Sequence, residues 1–410
     1  MDGEQDPTNG EDARHLWRVM AWCGEFGRNA GVSPAESAAL ERAAVLRYRT
    51  KLSVDYAALA KLAADIGIEA PREPEEETER RAEEILRALF GSRDVDESAR
   101  RLARMLELCQ DLDTACELDA RVSSDPELSD LDLLTNEVST HLKSVTDEEL
   151  ASAGRELPVF PDVAQRALEM LASGHASLTD LGSLIAGDQG LAVHLVREAN
   201  SALYGARYRV ATIAEALSRI GLERGRRVVS AAALRGMFRL RQSHGLWNHS
   251  LDVAQVALRL ASAAGVDRDT AFLAGLVHDI GKLVCLELPA GAIGRYERLT
   301  RAGCPDVVVE RVVFGEDHAS VGGRLLREWR FSGTTIGAVE SHHEPERGGS
   351  ALGAVLYLAE LVAGRDEGLP SEWRKRLALG TAGLEEKTLW EKDGRGVESE
   401  GSVLRFEAVA

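Results

Sequence analysis

The chain has 410 residues, enough for two or three domains, and its 44% hydrophobic content is sufficient for buried cores. A net charge of −18 and the absence of any apolar run near the ~18 residues that span a bilayer exclude a basic nucleic-acid binder and a helical membrane protein. Only 5% of residues are aromatic, and the chain is rich in Ala, Leu, Glu and Arg, which favours helices over β-sandwiches.

The first residues, Met1 to Asp12, are acidic and polar, unlike a signal or transit peptide, and are expected to form a disordered tip. Residues 1–150 carry 34 Asp and Glu against 18 Lys and Arg, so most of the net charge lies there. Helical patterning runs from Ala13 to about Ile68, with Ser33-Pro34-Ala35-Glu36 reading as an N-cap, a proline at the first helical position and a capping-box start. The charged stretch Pro71 to Glu79 reads as a linker or a solvated helix start. Residues 80–121 return to helical periodicity, with Ile85, Leu86, Leu89, Leu102, Met105 and Leu106 as core. Ser123-Ser-Asp-Pro126 is a turn, and two short helices are expected before Glu156.

Beyond Leu157-Pro-Val-Phe-Pro161, helix starts are predicted at Pro161, Ser177, Thr212 and Glu223, followed by helices over 250–264, 268–285, 305–314, 320–329, 334–343, 350–363 and 371–379. An alternating run at Val403 to Val409 is the one candidate strand. The fold class is therefore all-α. The predicted divisions are a tip at 1–12, an acidic helical domain at 13–150, a multi-helical bundle at 155–346, helices packing on it at 347–383, and a tail at 384–410. Five scattered cysteines without a CxxC pair predict a reduced, cytoplasmic protein and no thiolate zinc site.

The chemistry-bearing residues concentrate in the second half. His249 lies near a helix start, the His278-Asp279 pair in Ala274-Gly-Leu-Val-His-Asp-Ile-Gly-Lys-Leu283, His318 after Glu316-Asp317, and His342-His343 at the end of a further helix. Imidazoles with a carboxylate suit iron, manganese or zinc rather than a soft thiolate metal. Two ions sharing a carboxylate would activate a water and clamp a phosphoryl group. Lys282, one turn beyond His278, could neutralise a developing phosphate charge. Single histidines in helical proteins are mostly surface or hydrogen-bonded residues, but five of them around a His-Asp pair point to convergence in space.

These motifs resemble the HDOD domain of bacterial signalling proteins, within the HD superfamily. Leu157 to Pro161 is similar to the start of that domain, and Leu184-Ile-Ala-Gly-Asp188 with Leu191 to Gly205 to its middle signature. Glu198-Ala-Asn-Ser-Ala-Leu-Tyr-Gly205 is the most specific match, and Ile213 to Leu217 with Ile220-Gly-Leu222 fits the next helix pair. From Trp247 to Pro345 the chain is also similar to HD-GYP phosphodiesterases, which hydrolyse cyclic di-GMP. The resemblance covers just under half the chain. It implies metal-binding or assisting roles for His249, His278, Asp279, Lys282, His318, His342 and His343. Two features depart from it. Glu346-Arg-Gly-Gly349 stands where a Gly-Tyr-Pro motif would be, and Glu360 replaces the last ligand, an aspartate. The extra methylene shifts that carboxylate by ~1 Å, enough to disturb a two-metal site.

On sequence grounds, then, the favoured reading is a non-catalytic regulatory module that binds signalling proteins or a nucleotide. The alternative is a phosphodiesterase with two divalent ions (Fe, Mn or Zn), with Asp279 and Lys282 in the chemistry. DNA and membranes are not expected partners. Arg224, Arg227, Arg235 and Arg239 share a helical face that could receive an acidic partner or a phosphate, although a solvated basic face is the favoured reading. Asn200-Ser201 is expected to cap a helix rather than bind a ligand. Finally, residues 13–122 could be a second, degenerate HD-like unit, with His15 in the position of His249 and Arg47-Tyr48 in that of His278-Asp279. Ordinary amphipathic helices are the simpler reading of the same stretch.

Overall fold

A computed structural model describes residues 10–52, 76–92, 94–121, 129–157, 166, 178–186, 189–200, 209–235, 238, 244–364 and 372–390. The described residues contain helices and turns and no strand. The expected continuation of a helix to Ile68, the start of the Pro71 to Glu79 stretch, the Ser123 turn, the Pro161 helix, Ser201 to Gly205, Arg239 and the Val403 strand lie outside them.

In chain order the helices are α1 (Gly10–Asn29), α2 (Pro34–Leu52), α3 (Glu76–Leu89), α4 (Glu97–Arg121), α5 (Ser129–Leu142), α6 (Asp147–Glu156) and α7 (Leu178–Ala186). There follow α8 (Gln189–Ala199), α9 (Ile213–Ile220), α10 (Leu222–Arg235), α11 (His244–Ala261), α12 (Arg268–Val277), α13 (Gly281–Cys285) and α14 (Ala290–Arg301). The last are α15 (Asp306–Phe314), α16 (His318–Glu328), α17 (Gly333–Glu340), α18 (Pro345–Gly348), α19 (Ala351–Ala363), α20 (Glu372–Ala382) and α21 (Glu386–Trp390).

Local chemistry explains several of these boundaries. Thr212 and Glu215 form a reciprocal capping box that starts α9, and Gly221, with φ of 82°, ends it. Pro305 precedes α15, and Gly315 closes it in the left-handed region at φ 90°. Helix α14 escapes the sequence reading because Gly291 and Gly294 dilute its helical signal.

Two compact units result. One joins Met1–Leu150 to Leu288–Asp317, with a short piece at Glu367–Ser371; the other takes Ala151–Glu287, His318–Asp366 and Glu372–Ala410. Residues 288–317, inside the span read from sequence as one domain, therefore cluster with the N-terminal helices. In the first unit, Leu16, Val19, Trp22, Cys23 and Phe26 of α1 are buried at helical spacing alongside Leu40 and Ala43 of α2 and Leu102, Leu106 and Leu112 of α4. Glu25, 1% exposed, holds α14 to α1 by accepting hydrogen bonds from Arg295 at 3.1 Å and Arg298 at 2.6 Å.

The second unit is built around α11, α12 and α19. Val253, Ala257, Leu260, Ala271, Ala274, Val355, Leu356 and Leu358 form its core, and Ala378, Ala382 and Leu389 extend that core to α20 and α21. Small residues set the helix spacing: a Cβ on Gly275 would lie 2.5 Å from the Cα of Ala254, so α11 and α12 meet backbone to backbone there. Of the anticipated early core, Ile85, Leu102, Met105 and Leu106 are buried, while Leu86 and Leu89 are half-buried.

Candidate metal centre

His249 is the sixth residue of α11, well inside a helix that begins before the expected Ser250. The close approach at Gly275 brings the end of α12 beside it. There the expected continuous helix over 268–285 breaks. Successive i to i−3 bonds, Ile280 N–H to Val277 O at 3.1 Å and Lys282 N–H to Asp279 O at 3.0 Å, tighten the chain into a turn. This turn directs both His278 and Asp279 inward, and Lys282 lies in the first turn of the new helix α13. A Cβ on Gly281 would fall 2.0 Å from the carbonyl oxygen of His318, so α13 packs directly on α16, of which His318 is the first residue. His342 and His343 lie not in a helix but in the turn after α17, again formed by i to i−3 bonding, with Glu344 N–H donating to Ser341 O at 3.0 Å.

The seven side chains meet as two quartets that share Asp279. One is His249, His278, Asp279 and Glu360; the other is Asp279, His318, His342 and His343. Within each, one donor atom per residue lies within 4.8 Å of the others. All seven residues are at most 9% exposed. Asp279 reaches His278 Nε2 at 3.3 Å and His249 Nε2 at 3.7 Å through Oδ2, and His318 Nε2 at 3.0 Å and His342 Nε2 at 3.8 Å through Oδ1. Glu360 spans both imidazoles of its quartet, 2.8 Å from His278 and 3.1 Å from His249, so its longer side chain is accommodated. Lys282 Nζ donates to Asp279 Oδ2 at 2.8 Å.

The Nδ1 of His278 faces Gly275 O at 2.8 Å and that of His342 faces Val339 O at 2.6 Å; each must carry the proton, which leaves Nε2 as a lone pair aimed at the centre. Nε2 of His318 stands 3.4 Å from Nε2 of His342 and 3.0 Å from Nε2 of His343. Facing lone pairs of this kind, together with His278 Nε2, Asp279 Oδ1 and Glu360 Oε2 buried without a hydrogen bond, require a positive charge among them. Protons supply it in part. Burial disfavours charge on His278, but Asp279 and Glu360 outweigh it and raise its pKa to about 10, so without a cation the Nε2 lone pair of this ring takes a second proton. Burial and the neighbouring His278 and His318 push His342 down to about 3, so that ring stays neutral and ready to ligate. Divalent cations fit the donor set better, because every inward-facing atom is then used. The first quartet has two imidazoles and two carboxylates; the second has three imidazoles and one carboxylate. Both suit iron, manganese or zinc.

The remaining sequence candidates lie elsewhere in the second unit. Arg227 Nη1 donates to Asp269 Oδ1 at 2.8 Å, and Arg224 Nη2 lies 3.7 Å from Glu198 Oε1, so both are engaged within the fold. Arg235 is half-buried, and Arg239 lies outside the described residues. The side chain of Asn200 exchanges two hydrogen bonds with the backbone of Val210, at 2.8 and 2.9 Å, so it closes a loop rather than capping its own helix. Sequence reading missed the roles of Gly275 and Gly281, which flank the His-Asp pair and permit both close approaches. The ion pair of Glu346 with Arg374 was missed as well, because its partners are 28 positions apart.

Comparison with known proteins singles out the same part of the chain. The HDOD domain family matches residues 157–345. An uncharacterized protein of Treponema pallidum (strain Nichols) is 26% identical over 213 residues, 49% of this chain and 41% of that protein. Ribonuclease Y of Mycoplasma mycoides is 26% identical over 137 residues, 33% of this chain and 26% of the enzyme. The matched part is thus well under two thirds of either relative. Among solved structures, an HDOD domain protein of unknown function from Geobacter sulfurreducens superposes with a TM-score of 0.53 at 24% identity, covering 64% of this chain and all of that one. It supports the fold.

Proposed function

Residues 157–345 are an HDOD domain, and from the centre built on it we propose that the protein is a metal-dependent phosphohydrolase of HD type with a signalling role, acting on phosphodiesters. The observation that carries this reading is the pair of quartets sharing Asp279. It supports metal binding first, and we place the hydrolase ahead of the regulatory module favoured on sequence grounds because a shared carboxylate suits two ions clamping one phosphoryl group.

In this reading His249, His278, Asp279 and Glu360 hold one divalent ion, and Asp279, His318, His342 and His343 hold another. Bound there, the ions would supply Lewis acidity and an acidified water. The chain's own residues do the rest. Gly275 O and Val339 O fix the ring orientation and tautomer of His278 and His342. Lys282, relieved of Asp279 once that carboxylate is neutralised, offers its ammonium to a phosphoryl oxygen. Its side chain, 13% exposed, is less buried than that of Asp279, consistent with substrate arriving on that side. The activity named for Ribonuclease Y supports a phosphodiester as the substrate class.

One observation favours the regulatory reading. Residues 345–348 form the short helix α18 where an HD-GYP enzyme would carry its substrate motif. The deciding experiment is elemental analysis of anaerobically purified protein beside His278→Ala/Asp279→Ala, with a screen against bis(p-nitrophenyl) phosphate, cyclic dinucleotides and RNA. Metal near two ions per chain and hydrolysis, both lost in the variant, are expected. Metal without hydrolysis would favour the regulatory module, and substoichiometric metal unchanged in the variant would sink the metal centre.

A further inference from the structure

We infer that α20, which lies beyond the family match, is a working part of the centre, with Arg374 as a positioning residue that holds the two quartets in register through Glu346. This rests on the metal reading above. Helix α20 packs on both α19, which carries Glu360 of the first quartet, and α18, which follows directly on His343 of the second. Arg374 joins them. Its Nε donates to Glu346 Oε1 at 3.0 Å and its Nη2 donates to the same oxygen at 2.8 Å. The side chains are 4% and 11% exposed.

A buried ion pair is an expensive way to hold two helices together, since well-packed apolar residues do it without desolvating charge. What a guanidinium adds is direction, because its coplanar Nε and Nη2 donors converge on one carboxylate oxygen, Glu346 Oε1. Short-range bonds tie the turn between Glu346 and His343 to its surroundings. Arg347 N–H donates to Glu344 O at 2.9 Å, Gly349 N–H to Pro345 O at 3.2 Å, and Ser341 Oγ to Gly337 O at 2.8 Å. Gly348 seats against Ser341 so closely that a Cβ there would lie 2.2 Å from its Oγ. A shift of Glu346 therefore moves His343 and His342 relative to Glu360, and with them the separation of the two ion positions.

The test uses the full chain with Arg374→Gln and with the charge-swapped Glu346→Arg/Arg374→Glu. Stepwise manganese titration should show binding of one equivalent nearly unchanged and the other weakened about 10- to 100-fold in Arg374→Gln, as for residues that orient metal ligands. Partial recovery is expected in the swap. Equal affinities for both equivalents, with only a lower melting temperature, would overturn the inference and leave Arg374 a structural residue. Hydrogen exchange on metal-free protein supplies an independent readout. Faster exchange confined to 341–349 in Arg374→Gln supports the brace, and unchanged exchange there refutes it. If wild-type protein binds no metal, the proposed function fails, while the exchange result still decides whether Arg374 orders the His342-His343 turn.

Discussion

Glu198, in the middle of the family signature, is 7% exposed, and its Oε1 has no hydrogen bond. Burial raises its pKa to about 7, against the pull of Arg224. Because the folded pKa lies above the ordinary carboxylate value, its ionisation opposes folding, and stability falls as pH rises from about 4.5 through 7. Glu198→Gln should remove that slope and stabilise the protein at pH 8 by about 2 kcal/mol, after allowance for solvent screening. Urea denaturation at pH 5 and pH 8 checks it, and a slope that persists in the variant would reject the assignment. Gly281→Ala makes a second residue-scale case. Its methyl would meet the backbone of His318 at 2.0 Å and of Gly322 at 2.7 Å, where no rotamer change helps. A loss of about 3 kcal/mol or more is expected. Reduced metal content should accompany it, since α13 and α16 carry Lys282 and His318.

At the scale of elements, α1 and α4 resemble α11 and α19 in one respect. His15 is the sixth residue of α1, as His249 is of α11. His15 Nδ1 contacts Asp113 on α4 much as His249 reaches Glu360 on α19. In the N-terminal unit, however, guanidinium groups supply the positive charge. Arg18 donates to both oxygens of Asp113, at 2.7 and 2.9 Å, and Arg47, aligned in sequence with His278, donates to Gln110. We propose from this pattern that the N-terminal helices are a degenerate HD-like unit with Arg18 standing in for a cation, plain amphipathic helices being the alternative. Asp113→Ala should then cost about 3–5 kcal/mol, because it strands the Arg18 guanidinium, whose side chain is 14% exposed, yet leave metal content per chain unchanged. Thermal melts beside elemental analysis test both halves of that expectation.

For the whole molecule, the important feature is that the chain leaves the second unit after α13 and returns at His318. In the excursion, residues 288–317, Leu299, Val309, Val312 and Val313 are completely buried. A chain lacking residues 1–150 would expose these side chains, each worth about 2 kcal/mol of burial. Strong binding of a hydrophobic dye and protease cleavage within 288–317 are the expected results. A truncated chain that stays resistant there would mean the excursion folds without the N-terminal helices.

The all-α class, most helix starts and the identity of the donors were legible from the chain alone, because caps, prolines and 3.6-residue spacing act within a few residues. Thr212 with Glu215 and the His278-Asp279 pair are signals of that local kind. Tertiary structure decided the rest. Which histidines share a quartet depends on close approaches at Gly275 and Gly281, and the reach of Glu360 depends on how α19 packs against α11. Equally non-local are the pairing of Glu346 with Arg374 and the clustering of 288–317 with the N-terminal helices. Those outcomes come from contacts between residues far apart in the chain, where side-chain volume and buried charge choose the partner and sequence spacing carries no record of it.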